Sequence, residues 1–156
     1  MSSKKRIYII ISWILVAVCM GIIFSLSAQN GEESSELSSS FVIELLNMLG
    51  ISIDEGFLRT MAHCLEFMGL AVLMFNAIYS TWDFKFAPIP AFFGTVLYAV
   101  SDEIHQIFVP DRAFQISDIL VDSTGALIGV TASFVILKII LYIKKRGNKN
   151  GSIKTV

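Results

Sequence analysis

Long, uninterrupted apolar blocks constrain this chain more than any other feature. The first runs from about Ile7 to Leu26, directly behind the basic start Lys4, Lys5 and Arg6. At about 1.5 Å per residue, a helix of that length crosses a hydrocarbon core of about 30 Å. A secretory signal would be the competing reading, with Ser25 and Ser27 as small residues at a cleavage site. Its apolar region, however, is usually only about 7–15 residues long, so the block reads as a retained anchor. Composition agrees: 54% of the residues are hydrophobic, only 16% are charged, and the mean hydropathy is +0.70. Soluble domains carry roughly 25% charged residues, so a bilayer is the natural solvent for this chain. The net charge of −1 gives no reason to expect nucleic acid. Cys19 and Cys64 both fall inside apolar blocks, where a thiol packs as a small hydrophobe.

Three further blocks follow, giving expected spans of about 7–26, 57–79, 86–108 and 115–143. The fold class expected is all-α, a polytopic membrane bundle of four transmembrane helices. Residues 1–146 form the transmembrane domain and 147–156 a polar cytoplasmic tail. Between the first two blocks, Ser27 to Ser40 is rich in serine and glutamate and reads as loop. Ser40 to Leu49 then places Phe41, Val42, Leu45 and Leu46 around Glu44 and Asn47. That pattern is a short amphipathic extracytoplasmic helix, too short to cross, and the stretch from Ser27 to Gly56 reads as a lid.

Charge placement gives the orientation, because Lys and Arg near the membrane accumulate on the cytoplasmic side. With four spans, both termini lie on one side. If that side is cytoplasmic, it collects Lys4, Lys5, Arg6, Lys85, Lys138, Lys144, Lys145, Arg146, Lys149 and Lys154. The outer side keeps only Arg59 and Arg112. The expected location is therefore the cell membrane, multi-pass, with both termini cytoplasmic.

In that topology the polar parts of blocks two, three and four all lie at the outer face. Arg59, His63 and Glu66 are spaced i, i+4, i+7 and share one helical stripe about 10 Å deep. Asp102, His105 and Gln106 are spaced i, i+3, i+4, and Asp118 and Asp122 are spaced i, i+4. Singly, each has a structural reading: Arg59 and Glu66 can snorkel near a helix end, and Asp118 can favour a helix N-terminus. Exposing Arg or Asp to lipid costs at least ~2.5 kcal/mol each, so three such stripes at one depth are expected to converge. Gly125 and Gly129 below Asp122 have the spacing that lets a neighbouring helix come close, which reads as packing.

The residues Arg59-x3-His63-x2-Glu66-Phe67 belong to a wider pattern. It continues through Tyr98-Ala99-x-Ser101-Asp102-Glu103-x-His105-Gln106-x-Phe108-Val109-Pro110-x-Arg112 and Asp118-x3-Asp122-x2-Gly125-x3-Gly129. With Phe24-Ser25-x3-Gln29 and Ser34 and Ser38, it resembles the VanZ-like family of small membrane proteins. Asp111 departs from the family's usual Gly between Pro and Arg; Asp tolerates φ > 0 moderately well. The resemblance implies a cell-envelope context, and the family's namesake is associated with low-level teicoplanin resistance in Gram-positive bacteria.

Three mechanisms fit these residues. In the first, an intramembrane hydrolase or transferase acts on a lipid or lipid-linked envelope precursor. There, Arg59 and Arg112, with Glu103 and Gln106, hold the substrate, and His63 and His105 act as acid and base. Glu66, Asp102, Asp118 and Asp122 orient the imidazoles. In the second, the same pocket binds an envelope lipid, peptide or amphiphilic antibiotic without chemistry. A proton-coupled carrier fits least well with four spans and no visible internal repeat. The cofactor is left unassigned, since the histidines and carboxylates lack the tight spacing of a metal site. No nucleophile elbow or phosphate loop is present, and Ser101 has no support beyond lying near His105. The expected partner is a membrane lipid or lipid-linked precursor, with oligomerisation open.

Overall fold

A computed structural model describes residues 2–28, 48, 55–82, 86–110 and 112–152. Among them are four long helices and no strand: α1 (Ser3–Ser27), α2 (Glu55–Trp82), α3 (Pro88–Gln106) and α4 (Ile116–Ser152). The amphipathic helix expected over 40–49 and the proposed lid lie outside the described residues, apart from Met48, Ser27 and Ala28 at the end of α1, and the start of α2.

The helices alternate in direction. Tyr8 and Trp13 near the start of α1 meet Asn76 and Thr81 near the end of α2. The Tyr8 hydroxyl donates to Asn76 Oδ1 at 2.8 Å, and Asn76 Nδ2 donates to Ser12 Oγ at 3.2 Å. The Trp13 indole donates to Thr81 Oγ1 at 3.0 Å, and its ring meets Trp82 edge-on at 6.2 Å. Such interhelical bonds average ~0.6 kcal/mol in a membrane, so together they fix register more than they supply energy. α3 runs with α1, since the Tyr98 hydroxyl donates to the Met20 carbonyl at 2.6 Å and Gln106 reaches Ser27. α2 lies at the centre, packing against all three other helices.

α2 and α4 run parallel at the closest contact in the fold. A Cβ built on Gly125 would fall inside the backbone carbonyl of Cys64, and one on Gly129 inside that of Met68. The two glycines thus admit the neighbouring backbone itself, as the Gly-x3-Gly spacing leads one to expect. Ala71, Phe75, Ala126 and Val130 continue this seam as a buried cluster, which Ala87 and Ala91 join from α3 and the turn before it.

Away from these contacts the surface is apolar. Ile7, Ile10, Ile14, Val18 and Ile22 on α1 are exposed, as are Ile136, Ile139, Ile140 and Ile143 on α4. Apolar surface of this extent suits hydrocarbon rather than water. α1, residues Gly56–Trp82 of α2 and Ile116–Gly147 of α4 are each long and apolar enough to cross a membrane.

The sequence leads one to expect four such helices; α3 does not meet the same standard among the described residues. It is 19 residues long, opens on Pro88 and Pro90, and closes on Asp102, Glu103, His105 and Gln106. Those polar residues lower its mean hydropathy, yet Asp102, Glu103 and Gln106 are buried against the other helices. The remaining boundaries also move. α2 extends to 55–82 and α4 to 116–152, because neither Trp82 nor the Lys144-Lys145-Arg146 cluster breaks a helix.

The glycine seam makes a stability prediction. Gly125→Ala and Gly129→Ala should each destabilise the protein in detergent by about 1–3 kcal/mol, the usual range for overpacking. Gly21→Ala and Gly69→Ala, where a Cβ meets nothing within 4 Å, should be neutral or stabilising. Thermal unfolding of the four variants is the check, and equal effects at all four positions would refute the close approach.

Candidate functional site

The alternating directions bring one end of every helix together: the last turns of α1 and α3 and the first turns of α2 and α4. Arg59, His63, Glu66, Asp102, Glu103, His105, Asp118 and Asp122 are all at this end. Parallel packing at Gly125 and Cys64 sets the register. Next to this contact, on the side toward the helix ends, His63 faces Asp122, with Nδ1 3.8 Å from Asp122 Oδ1. That is ion-pair range but longer than a hydrogen bond. His63 is 14% exposed and Asp122 only 2%.

One further turn out, Arg59 and Asp118 flank a pocket of about 210 Å³. It is lined by Gly56, Arg59, Thr60, His63, Gln115, Asp118 and Val121. Arg59 is exposed at its rim, and the Ser117 hydroxyl donates to Asp118 Oδ1 at 3.2 Å.

α3 contributes buried polar side chains at the same end without lining the pocket. Asp102, Glu103 and Gln106 are 3%, 1% and 0% exposed. Asp102 interacts electrostatically with His63 and His105, and also with Glu66 and Asp122. Its neighbours thus belong to all three polar stripes. The Gln106 amide donates to Ser27 Oγ at 3.4 Å, and both side chains also hydrogen-bond Asp102. Glu66 lies half-buried a turn deeper than His63.

Two expected site residues have other engagements. Glu103 accepts the backbone N–H of Gln115, so its carboxylate ties the α3–α4 connection to α3. The His105 ring packs on Phe24 of α1, with centroids 4.2 Å apart and planes inclined by 35°, and it does not line the pocket. Arg112 sits half-buried in the connection. Burial, and then the nearby Arg59 charge, lower its pKa from the usual value, while Asp102, Asp118 and Glu103 oppose the shift.

Several buried polar atoms make no hydrogen bond among the described residues: His63 Nδ1, Asp102 Oδ1, His105 Nδ1, Gln106 Oε1 and Asp122 Oδ1. Leaving such atoms unpaired is costly, roughly 1–3 kcal/mol each, and all five lie at this one end of the bundle. No group of three His, Cys, Asp or Glu side chains among the described residues has the geometry to hold a metal ion.

Three contributors were not anticipated from the sequence. Ser27 and Phe24 bring in α1, where only the other three apolar blocks were expected to supply the cluster, and Gln115, expected at the start of the fourth block but not as a site residue, lies just before α4. A signal for Ser27 does exist. Ser12, Val16, Ile23 and Ser27 are the buried residues of α1 and fall on one helical stripe, so a serine there faces the bundle.

The bond from Gln115 to Glu103 is testable alone. Glu103→Ala should speed hydrogen exchange at the Gln115 amide at least tenfold, as expected when a charge-assisted bond worth about 1.5–3 kcal/mol is lost. Unchanged exchange would show that the connection is held elsewhere. Comparison with known families finds one matching model, described as VanZ/LLP1, over residues 12–140. No curated protein and no solved structure matches the chain.

Proposed function

The chain belongs to the VanZ/LLP1 family, and from that premise we propose that it is a four-span protein of the bacterial cell membrane. In this reading, an outward-facing pocket holds the phosphate-bearing headgroup of a lipid or lipid-linked envelope precursor.

The fourth span in this reading is α3. Its exposed residues Ile89, Phe93, Leu97 and Ile104 are apolar, while Thr95, Asp102, Glu103 and Gln106 are buried, as lipid on one side and bundle on the other would require. Both termini are cytoplasmic, supported by ten Lys and Arg on that side against Arg59 and Arg112 on the other. Residue labelling tests this: Ala113→Cys should react with an impermeant maleimide added to intact cells, and Gly147→Cys should react only after lysis. The reverse pattern would overturn the orientation.

The observation that carries the binding reading is the pocket between the first turns of α2 and α4. It opens beside exposed Arg59 and ends on His63 and Asp118. A guanidinium at the rim suits the phosphate by forked hydrogen bonds, and Arg112 in the nearby connection adds a second. The depth suits a headgroup that stays tethered to its acyl or prenyl chains. By family resemblance, occupancy of this site is linked to teicoplanin-type resistance, through capture of the envelope molecule on which the antibiotic acts.

Wild-type protein purified in mild detergent should retain a phosphorylated lipid detectable by native mass spectrometry. Arg59→Gln should retain about tenfold less, equivalent to roughly 1.4 kcal/mol, and should lower teicoplanin tolerance in cells. Equal retention and equal tolerance would refute the reading. A second reading, acid–base modification of the headgroup, draws on the His63 and Asp122 pair at 3.8 Å. It requires a difference in lipid composition between cells with and without the protein, abolished by His63→Ala; identical lipid profiles would exclude it.

A further inference from the structure

We propose that the stretch of α4 far from the polar site is a binding surface for an anionic phospholipid, whose phosphate lodges at Tyr142 between the ammoniums of Lys138 and Lys145. This surface is separate from the pocket at the other end of the bundle.

The glycine seam sets the depth of these residues. It puts Cys64 level with Gly125 and Met68 level with Gly129. Carried along the two parallel helices, the same offset sets Trp82, the last residue of α2, level with Ile143, and Lys138 level with Ala77. Lys138 is therefore about 7 Å short of the α2 end at the helical rise, within the apolar part of a span. It is exposed. At a similar depth the exposed residues Ile10 and Ile14 of α1, and Ile89 and Phe93 of α3, are apolar. A lysine on that surface faces hydrocarbon unless an anion comes to it.

Lysines near a helix end ordinarily escape by snorkelling, but here the direction is wrong. Side chains on a helix lean toward its N-terminus. The N-terminus of α4 is at the polar site, so the Lys138 stem leans toward the middle of the span and away from the nearer water. Its Nζ lies 5.1 Å from the centroid of the Phe134 ring, one turn in that direction. It makes no ion pair among the described residues. The ring face attracts the ammonium without neutralising it.

The surroundings of Lys138 suit an anion. Lys138, Tyr142 and Lys145 are spaced i, i+4, i+7 and share one exposed stripe, with Arg146 beside it. The exposed Ile136, Ile139, Ile140 and Ile143 lie on a different side of the helix. Cations are thus gathered on one side of α4 where they could have ringed it. Lys145 lies past the level of the α2 end and leans back by the same tilt, which brings its ammonium toward Tyr142. Two ammoniums and a phenol supply donors to one phosphate, and the acyl chains of the same lipid stay in the hydrocarbon around the apolar side. A zwitterionic lipid brings its own cation to this place and gains little; a lipid of net negative charge gains most.

The test is a titration in dodecyl maltoside, read by native mass spectrometry, with short-chain phosphatidylglycerol and phosphatidylcholine as probes. The purified full chain carries Arg59→Gln, which removes the rim guanidinium of the other site. Phosphatidylglycerol should bind about tenfold more tightly than phosphatidylcholine. Adding Lys138→Gln should reduce that preference about fivefold, and Lys138→Arg should keep it. Lys4→Gln, which removes an exposed charge from α1 at the same end, should change it by less than about twofold. Lys138 is exposed, so its replacement leaves the packing of the bundle intact, and thermal unfolding checks that. Equal binding of the two lipids would overturn the proposal. So would equal losses in Lys4→Gln and Lys138→Gln, the mark of diffuse attraction to a basic end.

Discussion

The contact on which the rest depends is the backbone approach of α2 and α4. At Gly125 and Gly129 there is no room for a Cβ, so these helices meet carbonyl to α-carbon and their relative height is fixed within a fraction of a turn. The consequence propagates upward along parallel helices. Directly above the Gly125 contact His63 meets Asp122, and one turn above that Arg59 and Asp118 flank the pocket. A side chain at either glycine would separate the helices and displace both pairs together. The small-residue motif and the ionisable cluster are therefore one device: the first sets the spacing that the second uses.

Hydrocarbon imposes the complementary constraint. A charged group facing lipid costs at least ~2.5 kcal/mol, so every helix must turn its polar stripe inward and its apolar stripe out. α3 meets this demand with the least apolar material. Its small buried residues Ala91, Thr95 and Ala99 let it lie close to the bundle, and its polar last turn is sheltered there. α1 meets it differently, with an almost wholly apolar surface and only Ser12 and Ser27 among its buried polar positions. At one end of the bundle Tyr8, Asn76, Trp13 and Thr81 pair with one another. At the other, several buried polar atoms have no such partner among the described residues. Polar groups that only hold helices together pair up, and in that respect the two ends of the bundle differ.

Much of this was legible in the sequence, for a definite physical reason. The spacing of Arg59, His63 and Glu66, and of Asp118 and Asp122, is a property of one helix and needs no knowledge of its neighbours. Likewise, the Gly125 and Gly129 spacing foretold a close approach, though not that the partner is α2. What a single-helix pattern cannot disclose is which neighbour each face meets. His105 and Asp102 share an α3 stripe, yet His105 packs on Phe24 while Asp102 joins the other acids. Glu103, adjacent to Asp102 in the motif, spans to the Gln115 backbone instead. Ser27 was assigned to a loop because a serine-rich run follows it, whereas helix packing draws it into the bundle. The helix ends moved for a similar reason. Charge marks where a membrane stops, but only proline, glycine or a cap marks where a helix stops.

Position within the cluster matters as much as its composition. Were the carboxylates at the rim and Arg59 at the floor, the same residues would favour a cation held in water and an anion held in the dry interior. The observed order is the opposite, with the guanidinium solvated and Asp102 and Asp122 almost wholly buried. A buried, unpaired carboxylate is stable only if a proton, a donor or a cation reaches it. The Gln106 amide and Ser27 hydroxyl supply donors to Asp102, but they come from the α1 side and leave Asp102 Oδ1 unpaired. Asp122 Oδ1 faces His63 at 3.8 Å, longer than a hydrogen bond, and makes no hydrogen bond among the described residues. The deepest acid of α4 thus lies one turn below Asp118, among acids contributed by α2 and α3 and outside the lining of the pocket.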